Sequence, residues 1–476
     1  MLRVRIALTT YLNPDEALQA LLSFPGWPQV WRNSLTVTHP PLLILITHLV
    51  SMASRTEIAL RMVPILAGSL FPVVLFVWLR RVAGIGAGMT AMFLLTLAPH
   101  LVTISAQLRS YTLALLFLSA SLLALDRAID TGRWQTIWVF NILLWACIFS
   151  DFSMAWFAGA ATVYALLRLR ESPAAVKISW AAGQGGALAL FGLLYMLQVS
   201  HFRDSSARVA AREVWLLGAF PGPGTKLVFP FANTLKQFAY LTDSVPLGVA
   251  ALAIFAIAVI LLWTGQGKNR AMALLLTVPF ALGIAGAYAD IFPYGRTRHT
   301  LVFGLFAAAG IGILMQQLPP RITAAILWGA LLLTPIWHRF APEDPQDLSA
   351  DRNRKQWMIE CGRYMRAHIP PDAPIFTDGE TLIMLAYYQG DGVSPLSSRS
   401  FIQTRLGGRW RVATRDYNYA TPDEYAAAMA AFRAQYGIPK PAPVWVLDGG
   451  WDPIAGPPDP ALPFTKAIRI LQSESP

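Results

Sequence analysis

Long apolar runs without charged residues are the feature that most constrains the fold of this chain. A helix needs about 20 apolar residues to cross the hydrocarbon core of a bilayer. Ten such runs, the shortest of 16 residues, are Met62–Leu79, Val82–Leu108, Ser110–Leu125, Trp134–Ser150, Phe152–Leu167, Ile178–Ser200, Ser244–Gly267, Ala271–Ala289, His299–Pro320 and Ile322–Trp337. They predict an α-helical polytopic membrane protein. Leu42–Ser54 is apolar but too short to span, and we expect it to lie as a helix at the membrane interface.

The distribution of acidic residues indicates a second domain. Only 14% of the residues are charged, whereas a soluble domain carries about 25%. Of 27 acidic residues, 16 fall in the last 136 residues, which places a boundary near Phe340. We therefore expect a transmembrane domain at 1–340, with outer loops at 1–60 and 200–243, and a small soluble α/β domain at 341–476.

Hydrophobic periodicity gives the elements expected in this C-terminal domain. The predicted helices are Arg354–His368, Glu380–Tyr388 and a helix that Thr421 caps and that ends at Tyr436. The predicted strands are Pro374–Thr377, Pro443–Leu447 and Phe464–Leu471.

Basic residues between the apolar runs predict the orientation. Ten of them lie in alternate connections: Arg80, Arg81, Arg127, Arg133, Arg168, Arg170, Lys177, Lys268, Arg270 and Arg321. Basic loops stay on the cytoplasmic side, so these connections should be cytoplasmic. The N-terminal loop, the 200–243 loop, with its basic residues and PGPG turn, and the C-terminal domain would then all face outward, at the plasma (inner) membrane.

This orientation leaves the N-terminal segment without a way across the membrane. Met1–Thr10 is too short for a signal peptide or a span. We therefore expect that one helix precedes this segment in the complete protein and that Met1 is not the true start.

Several classes of chemistry have no motif here. The sequence contains no Walker loop, no HExxH or GxSxG motif and no Cys/His spacing typical of metal ligands. Its two cysteines suggest isolated thiols. It thus requires no cofactor and gives no support for a divalent cation. The net charge of +11 does not indicate nucleic-acid binding, because the basic residues lie between membrane spans.

Three carboxylates are candidates for catalysis. Asp15 and Glu16 are adjacent, so they cannot share a helix face and would do different jobs. The alternative is that both simply begin a helix, where the dipole favours acids. Asp151 lies in a short outer turn, where it is either functional or a helix cap.

Basic residues in other outer turns are candidates for binding an anion. Arg109 precedes Tyr111 in one turn, and Arg296, Arg298 and His299 share the segment PYGRTRHT. Arginine binds phosphate through two parallel hydrogen bonds. The alternative is that these side chains contact lipid headgroups.

His39, which precedes Pro40 and Pro41, is either a substrate-binding loop residue or only a turn residue. Carboxylates and arginines together suit sugar transfer from a phosphate donor, with a carboxylate as base and arginines at the leaving phosphate.

The order of these motifs resembles a known superfamily. PDEALQALLSFP, THPPLLILITHLV, SAQLRSYTLALLF and YGRTRHTLVFGLF follow one another at spacings similar to those of bacterial GT-C glycosyltransferases. These are the protein O-mannosyltransferase and lipid A aminoarabinose-transferase superfamily, similar to glycosyltransferase family 39. The resemblance covers roughly residues 14–337.

The resemblance implies a membrane glycosyltransferase with an outward-facing site. Its donor would be a polyprenyl-phosphate-linked hexose or pentose, its acceptor a protein, lipid or polysaccharide, and transfer would invert the anomeric centre. Asp15 would be the general base, Glu16 would support the loop or the acceptor, and Arg109 with Arg296 and Arg298 would bind the donor phosphate. The alternatives are a polytopic transporter or lipid flippase, disfavoured by the nearly charge-free span interiors, and a non-catalytic scaffold.

Overall fold

Helices make up most of the structure, which is a computed structural model. It describes residues 1–37, 39–202, 216, 218–338, 354–390, 403–414, 422–440, 442–449, 459 and 461–473. The N-terminal helices are α1 (Leu2–Thr9), α2 (Pro14–Ser23), α3 (Trp27–Ser34) and α4 (Leu42–Ala53). The apolar helices that follow are α5 (Glu57–Val82), α6 (Ile85–Leu97), α7 (Pro99–Ser105), α8 (Tyr111–Thr131), α9 (Trp134–Ser150), α10 (Met154–Arg168), α11 (Ala174–Leu194) and the short α12 (Ser200–Phe202).

The second half of the helical region continues this pattern. It comprises α13 (Phe229–Thr242), α14 (Val245–Thr264), α15 (Lys268–Tyr288), α16 (Leu301–Met315) and α17 (Pro320–His338). The expected 200–243 loop thus contains a 14-residue helix, α13, that the sequence analysis did not predict. Its Arg203, Arg208 and Arg212 lie outside the described residues.

All ten predicted apolar runs are helical, but they differ in length. Among the described residues, six helices are long and apolar enough to cross a membrane, and the pair α6 and α7, bent by 64°, adds a seventh if it counts as one span. The others are shorter, such as α9 with 17 residues. The prediction of a polytopic α-helical membrane protein is confirmed. Leu42–Ser54 is helical as predicted, as the 12-residue α4.

A five-stranded sheet forms the C-terminal region, and it confirms the α/β prediction. Its elements are α18 (Lys355–His368), β1 (Pro374–Thr377), α19 (Gly379–Gln389), β2 (Gln403–Leu406), β3 (Trp410–Thr414), α20 (Pro422–Tyr436), β4 (Val444–Asp448) and β5 (Arg469–Ser473). The strand order is β2-β3-β1-β4-β5, with β1 parallel to both neighbours and the two edge strands antiparallel. The hairpin β2–β3 was not predicted, and Thr421 lies outside the described residues.

The chain divides into two compact units. Unit 1 comprises Met1–Ser34, Ile44–Arg61 and Pro345–Pro476, and unit 2 comprises Leu35–Leu43 and Met62–Asp344. The predicted boundary near Phe340 thus lies close to the start of the last segment of unit 1. However, unit 1 also includes most of the first 61 residues, which the sequence analysis assigned to the transmembrane domain.

Aromatic side chains fix the later helices of unit 2 to one another. Phe280 on α15 lies between Phe238 on α13 and Phe303 on α16, with ring centroids 5.9 Å and 5.3 Å away. Tyr294, in the segment between α15 and α16, also contacts Phe303 at 5.6 Å. Such ring pairs contribute about 0.5–1.5 kcal/mol each beyond their buried area. The segment at 290–300 is therefore held on a rigid base.

Candidate functional site

Asp15 and Glu16 lie in the first turn of α2, in unit 1. Asn13 caps this helix: its side chain accepts a hydrogen bond from the Glu16 N–H at 3.1 Å, and the Asn13 N–H donates to the Glu16 carboxylate at 3.2 Å. This reciprocal pair is a capping box, with Pro14 at the first helical position. The cap explains why the helix begins where the two acids stand.

Arg61 on α5 binds the Glu16 carboxylate with two parallel hydrogen bonds, both 2.8 Å long. Its guanidinium also donates to the backbone carbonyls of Ala7, Thr10 and Tyr11 at 2.8–3.0 Å. Both side chains are buried, with 0% and 1% of their area exposed. Arg61 therefore joins the end of α1, the start of α2 and the start of α5.

These contacts separate the two adjacent acids. The Glu16 carboxylate is used inside unit 1 by Arg61 and Asn13, which fits a supporting role better than contact with a substrate. Asp15 is only half-buried, on another face of the helix. Its assignment as general base stays a prediction.

A cluster of six side chains in unit 2 contains most of the other predicted site residues. We call it the Arg109 cluster, and it consists of His39, Arg109, Tyr111, Asp151, Arg298 and His299. Arg109, Tyr111 and Asp151 are buried, with 4%, 4% and 8% of their area exposed. These six come from four segments that are far apart in the sequence, so the fold must bring them together.

Tyr111, at the start of α8, connects the two arginines of the cluster. Its hydroxyl lies 3.4 Å from His299 Nδ1, with the rings edge-on and their centroids 5.9 Å apart. The Arg298 side chain hydrogen-bonds to the same hydroxyl, and Arg109 is close enough to act on it electrostatically. The charges of Arg298 and Arg109 also act on His299. Two arginines thus converge on one tyrosine and one histidine.

His39 and Asp151 interact electrostatically within this cluster. Burial lowers the pKa of His39, as does the charge of Arg298, while Asp151 opposes this shift. Burial raises the pKa of the Asp151 carboxyl; the hydrogen bonds from Ser153 and the charge of His39 oppose it. Burial therefore disfavours the charged forms of both groups, and the charge of each group affects the pKa of the other.

Backbone contacts hold these two side chains in place. Asp151 ends α9 and accepts a 2.8 Å hydrogen bond from the Ser153 N–H, which places the carboxylate across the turn to α10. Gln198 donates from its side-chain amide to the His39 carbonyl at 3.1 Å. The segment before α4 is therefore attached to the π-helical turn Tyr195–Val199, which follows α11.

Arg296, assigned with Arg298 to the donor phosphate, has a different partner. Its guanidinium lies 3.5 Å from the carboxylate of Asp243, which also lies 3.1 Å from His100 Nε2. The side chain of Asp243 is 5% exposed, and its backbone adopts the left-handed conformation, with φ of 49°. His100 stacks on Tyr240 with ring centroids 3.8 Å apart. Arg296 therefore belongs to a neighbouring group built on Asp243.

Sequence reasoning missed Arg61, His100, Gln198 and Asp243. His100 follows Pro99 at the bend between α6 and α7, a signal that could have marked it. Gln198 and Asp243 lie in stretches without a motif, whereas Arg61 lies in the run EIALRMVPILAGS, which is part of the resemblance to GT-C proteins. Among the described residues, no three His, Cys, Asp or Glu side chains are arranged to hold a metal ion.

Comparisons with known proteins bear on the fold of the chain. A sequence profile described as dolichyl-phosphate-mannose-protein mannosyltransferase matches residues 38–196, about a third of the chain. A crystal structure of ArnT from Cupriavidus metallidurans bound to undecaprenyl phosphate superposes over 94% of this chain and 91% of its own, with 14% identity and a TM-score of 0.52. This protein has the GT-C fold. The predicted resemblance to GT-C glycosyltransferases is confirmed.

A second solved GT-C structure is similar over almost the whole chain. The archaeal oligosaccharyltransferase AglB from Archaeoglobus fulgidus, in complex with an inhibitory peptide and a dolichol-phosphate, is 11% identical, with a TM-score of 0.51. The match covers 93% of this chain and 66% of AglB. No curated protein matches the sequence. Four members of the Arg109 cluster, including Arg109 and Asp151, fall within the residues that the family profile matches.

Proposed function

We propose that this GT-C protein is an integral membrane glycosyltransferase that moves a sugar from a polyprenyl-phosphate-linked donor to an acceptor. The observation that carries the proposal is the Arg109 cluster, in which Arg109 and Arg298 converge on Tyr111 in a mostly buried environment. Negative charge develops on the phosphate as it leaves, and the two arginines can stabilise this charge. They are effective because they are already in position before the reaction begins. The matched family and the ArnT structure bound to undecaprenyl phosphate support the donor class.

The proposed reaction is a single displacement at the anomeric carbon. The acceptor oxygen forms the new bond to this carbon while its proton passes to the Asp15 carboxylate, which acts as general base. The bond from the anomeric carbon to the phosphate oxygen breaks, and the electron pair leaves with the polyprenyl phosphate. The configuration inverts because attack and departure occur on opposite faces. The sugar would be a hexose or a pentose, and the acceptor a protein, lipid or polysaccharide.

Binding of the leaving group tests the role of the cluster. We expect Arg109→Ala and Arg298→Ala each to weaken binding of undecaprenyl phosphate by the purified protein about 10- to 100-fold, since a hydrogen bond to a charged group is worth about 1.5–3 kcal/mol. Arg81→Ala is the matched control, because Arg81 pairs with Asp130 on the surface and its side chain is 38% exposed. Equal affinity in all four proteins would contradict the phosphate assignment.

Two carboxylate variants test the base. In cells that lack the native gene, mass spectrometry of membrane lipids and glycoproteins should first identify the product that is lost. We expect Asp15→Asn to abolish its formation while the protein still accumulates and binds undecaprenyl phosphate. Asp151→Asn is the comparison: loss of product in that variant alone would transfer the role of base from Asp15 to Asp151.

We also propose that the site faces outward from the plasma membrane. The support is the charge distribution, since ten basic residues occupy the connections at the other end of the spans. Donors assembled on a polyprenyl carrier would then be used on the far side from the cytoplasm.

A further inference from the structure

An apolar tip lies at the start of α13 and is the most exposed apolar segment among the described residues of unit 2. It consists of Leu227, Val228 and Phe231, whose exposed fractions are 90%, 63% and 78%. Neighbouring apolar side chains with such exposure are costly in water, and they usually mark a surface for a partner or a membrane. The tip is also flanked by a lysine, Lys226.

Contacts hold this tip beside the end of a membrane span. Tyr288 is the last residue of α15, and its hydroxyl donates to the Lys226 carbonyl at 2.5 Å. The ring of Phe229 packs edge-on against Tyr288 with centroids 5.8 Å apart. The position of the tip relative to the bilayer is therefore set by α15.

The length of α15 gives the depth of the tip. A helix of 21 residues is about 30 Å long, which matches the hydrocarbon thickness of a bilayer. Tyr288 is then at the membrane–water interface, where tyrosine is enriched. Ile291, 69% exposed, and Val245, 47% exposed at the start of α14, lie at the same end of these two helices. The tip that Tyr288 contacts is therefore at the level of the membrane interface.

We propose that this tip inserts into the acyl chains of the leaflet at that end of α15, with the Lys226 ammonium at the lipid phosphates. Aromatic and aliphatic side chains favour the acyl region, whereas a lysine stem reaches from there to the headgroups. Bilayer lipid is the occupant because the neighbouring span α14 is only 22% buried inside the protein and therefore presents most of its apolar surface to lipid. Helix α13 is thus an interfacial helix and not part of an aqueous loop.

Insertion would also anchor the segment that carries the site arginines. The Thr234 hydroxyl on α13 lies 2.7 Å from the Tyr294 hydroxyl, and the Tyr294 N–H donates to Ala219. Gly295 has a φ of 139° and approaches Asn233 so closely that a Cβ there would lie 2.5 Å from its side-chain oxygen. Arg296 and Arg298 follow directly. The membrane would therefore support the cluster through α13.

A fluorescence measurement of depth tests the insertion and does not depend on sugar transfer. The variants Leu227→Cys and Phe231→Cys are labelled with an environment-sensitive NBD dye, while Cys147 and Cys361 are buried. The full-length protein is reconstituted into phosphatidylcholine–phosphatidylglycerol vesicles. We expect blue-shifted emission that is quenched by lipid doxyl-labelled at carbon 5 and little quenched by aqueous iodide. Arg363→Cys, at an exposed position of α18, should show the reverse.

Quenching of both tip labels by iodide and not by doxyl lipid would overturn the proposal. It would show that the tip is in water and open to a protein partner. Gel filtration and thermal unfolding of each labelled protein, compared with the unlabelled parent, establish that it is folded. Testing two positions ensures that one misfolded variant does not decide the result.

Discussion

At the scale of single residues, the acids of this chain differ mainly in burial. Glu16 is enclosed with Arg61, whereas Asp130 pairs with Arg81 at the surface, where 47% and 38% of the side chains are exposed. The distances are alike, 2.8 Å and 2.7 Å. An exposed pair is worth about 0–1 kcal/mol, but removing one member of a buried pair costs about 3–5 kcal/mol, because the other charge remains buried.

Glu16→Ala should therefore lower the free energy of unfolding by about 3–5 kcal/mol, whereas Asp130→Ala should change it by less than about 1 kcal/mol. Thermal unfolding of the purified proteins in detergent measures both. Glu16→Gln, which retains hydrogen-bond acceptors, should lie between them. A Glu16→Ala protein as stable as Asp130→Ala would contradict the role of Arg61 in joining the first helices.

The pair His39 and Asp151 predicts an effect on pH dependence. The positive charge of His39 opposes the rise in the pKa of Asp151 that burial causes. His39→Gln removes this charge, so the pKa of Asp151 should rise further, and its carboxylate should become protonated at a higher pH. His39→Lys has a lasting positive charge and should lower that pKa.

The measurement is the pH profile of sugar transfer. Where the reaction needs the ionised Asp151, the acid limb should move to higher pH in His39→Gln and to lower pH in His39→Lys. A shift of both variants in the same direction would contradict the electrostatic coupling. The Asp151→Asn protein provides the control, since neither substitution should then move the limb.

At the scale of elements, the turn between α13 and α14 combines a strained backbone with a buried carboxylate. Asp243 has φ of 49°, and Asp372, before β1, has φ of 59°. A non-glycine residue there costs roughly 1–2 kcal/mol. The Asp243 carboxylate binds His100 and Arg296 while 5% exposed, whereas the Asp372–Arg405 pair is 62% and 58% exposed.

Asp243→Gly should therefore destabilise the protein although it removes the backbone strain, because the partly buried side chains of Arg296 and His100 lose the carboxylate that binds them. Asp372→Gly should leave stability unchanged or raise it by up to about 1 kcal/mol. Thermal unfolding in detergent compares the two. An equal gain for both would mean that Asp243 holds neither His100 nor Arg296.

The same scale shows what could be read from the sequence. The uncharged runs were all helical because twenty apolar residues leave few alternatives. The hairpin β2–β3 was missed because arginines alternate with its apolar residues, although Gly407 and Gly408, with φ of 55° and 65°, are a hairpin signal. Trp410 and Val412 are buried between exposed or half-buried arginines, which is a strand pattern of period two.

Helix α13 illustrates the opposite limit. The sequence around it is rich in proline, lysine and glycine, which suggests a loop. Only the contacts with Tyr288 and Tyr294 show that the helix packs beside the end of α15 and the segment that carries Arg296 and Arg298. The candidate site was partly predictable because each of its turns carries an unusual charge near the membrane. The pairs His39–Asp151 and His100–Asp243 were not, since each joins residues more than 100 positions apart and only tertiary packing brings them together.

At the scale of the whole molecule, the distribution of basic residues predicts on which side of the membrane the candidate site lies. The ten basic residues between the spans should be cytoplasmic, and the connections that carry Arg109, Asp151 and Arg298 should lie on the other side. Glu171 lies in an exposed connection of the first set, after α10, and Lys236 is an exposed residue of α13, at the opposite end of the spans. Because both native cysteines are buried, a cysteine introduced at either position can be detected alone.

In spheroplasts, a membrane-impermeant maleimide should label Lys236→Cys, while Glu171→Cys should react only after the membrane is permeabilised. The physical reason is that moving ten positive charges across the membrane during insertion is unfavourable. Labelling of Glu171→Cys in intact spheroplasts would show that the topology is the inverse of the predicted one. The donor would then have to be used on the cytoplasmic face, and the Arg109 cluster would bind its phosphate there.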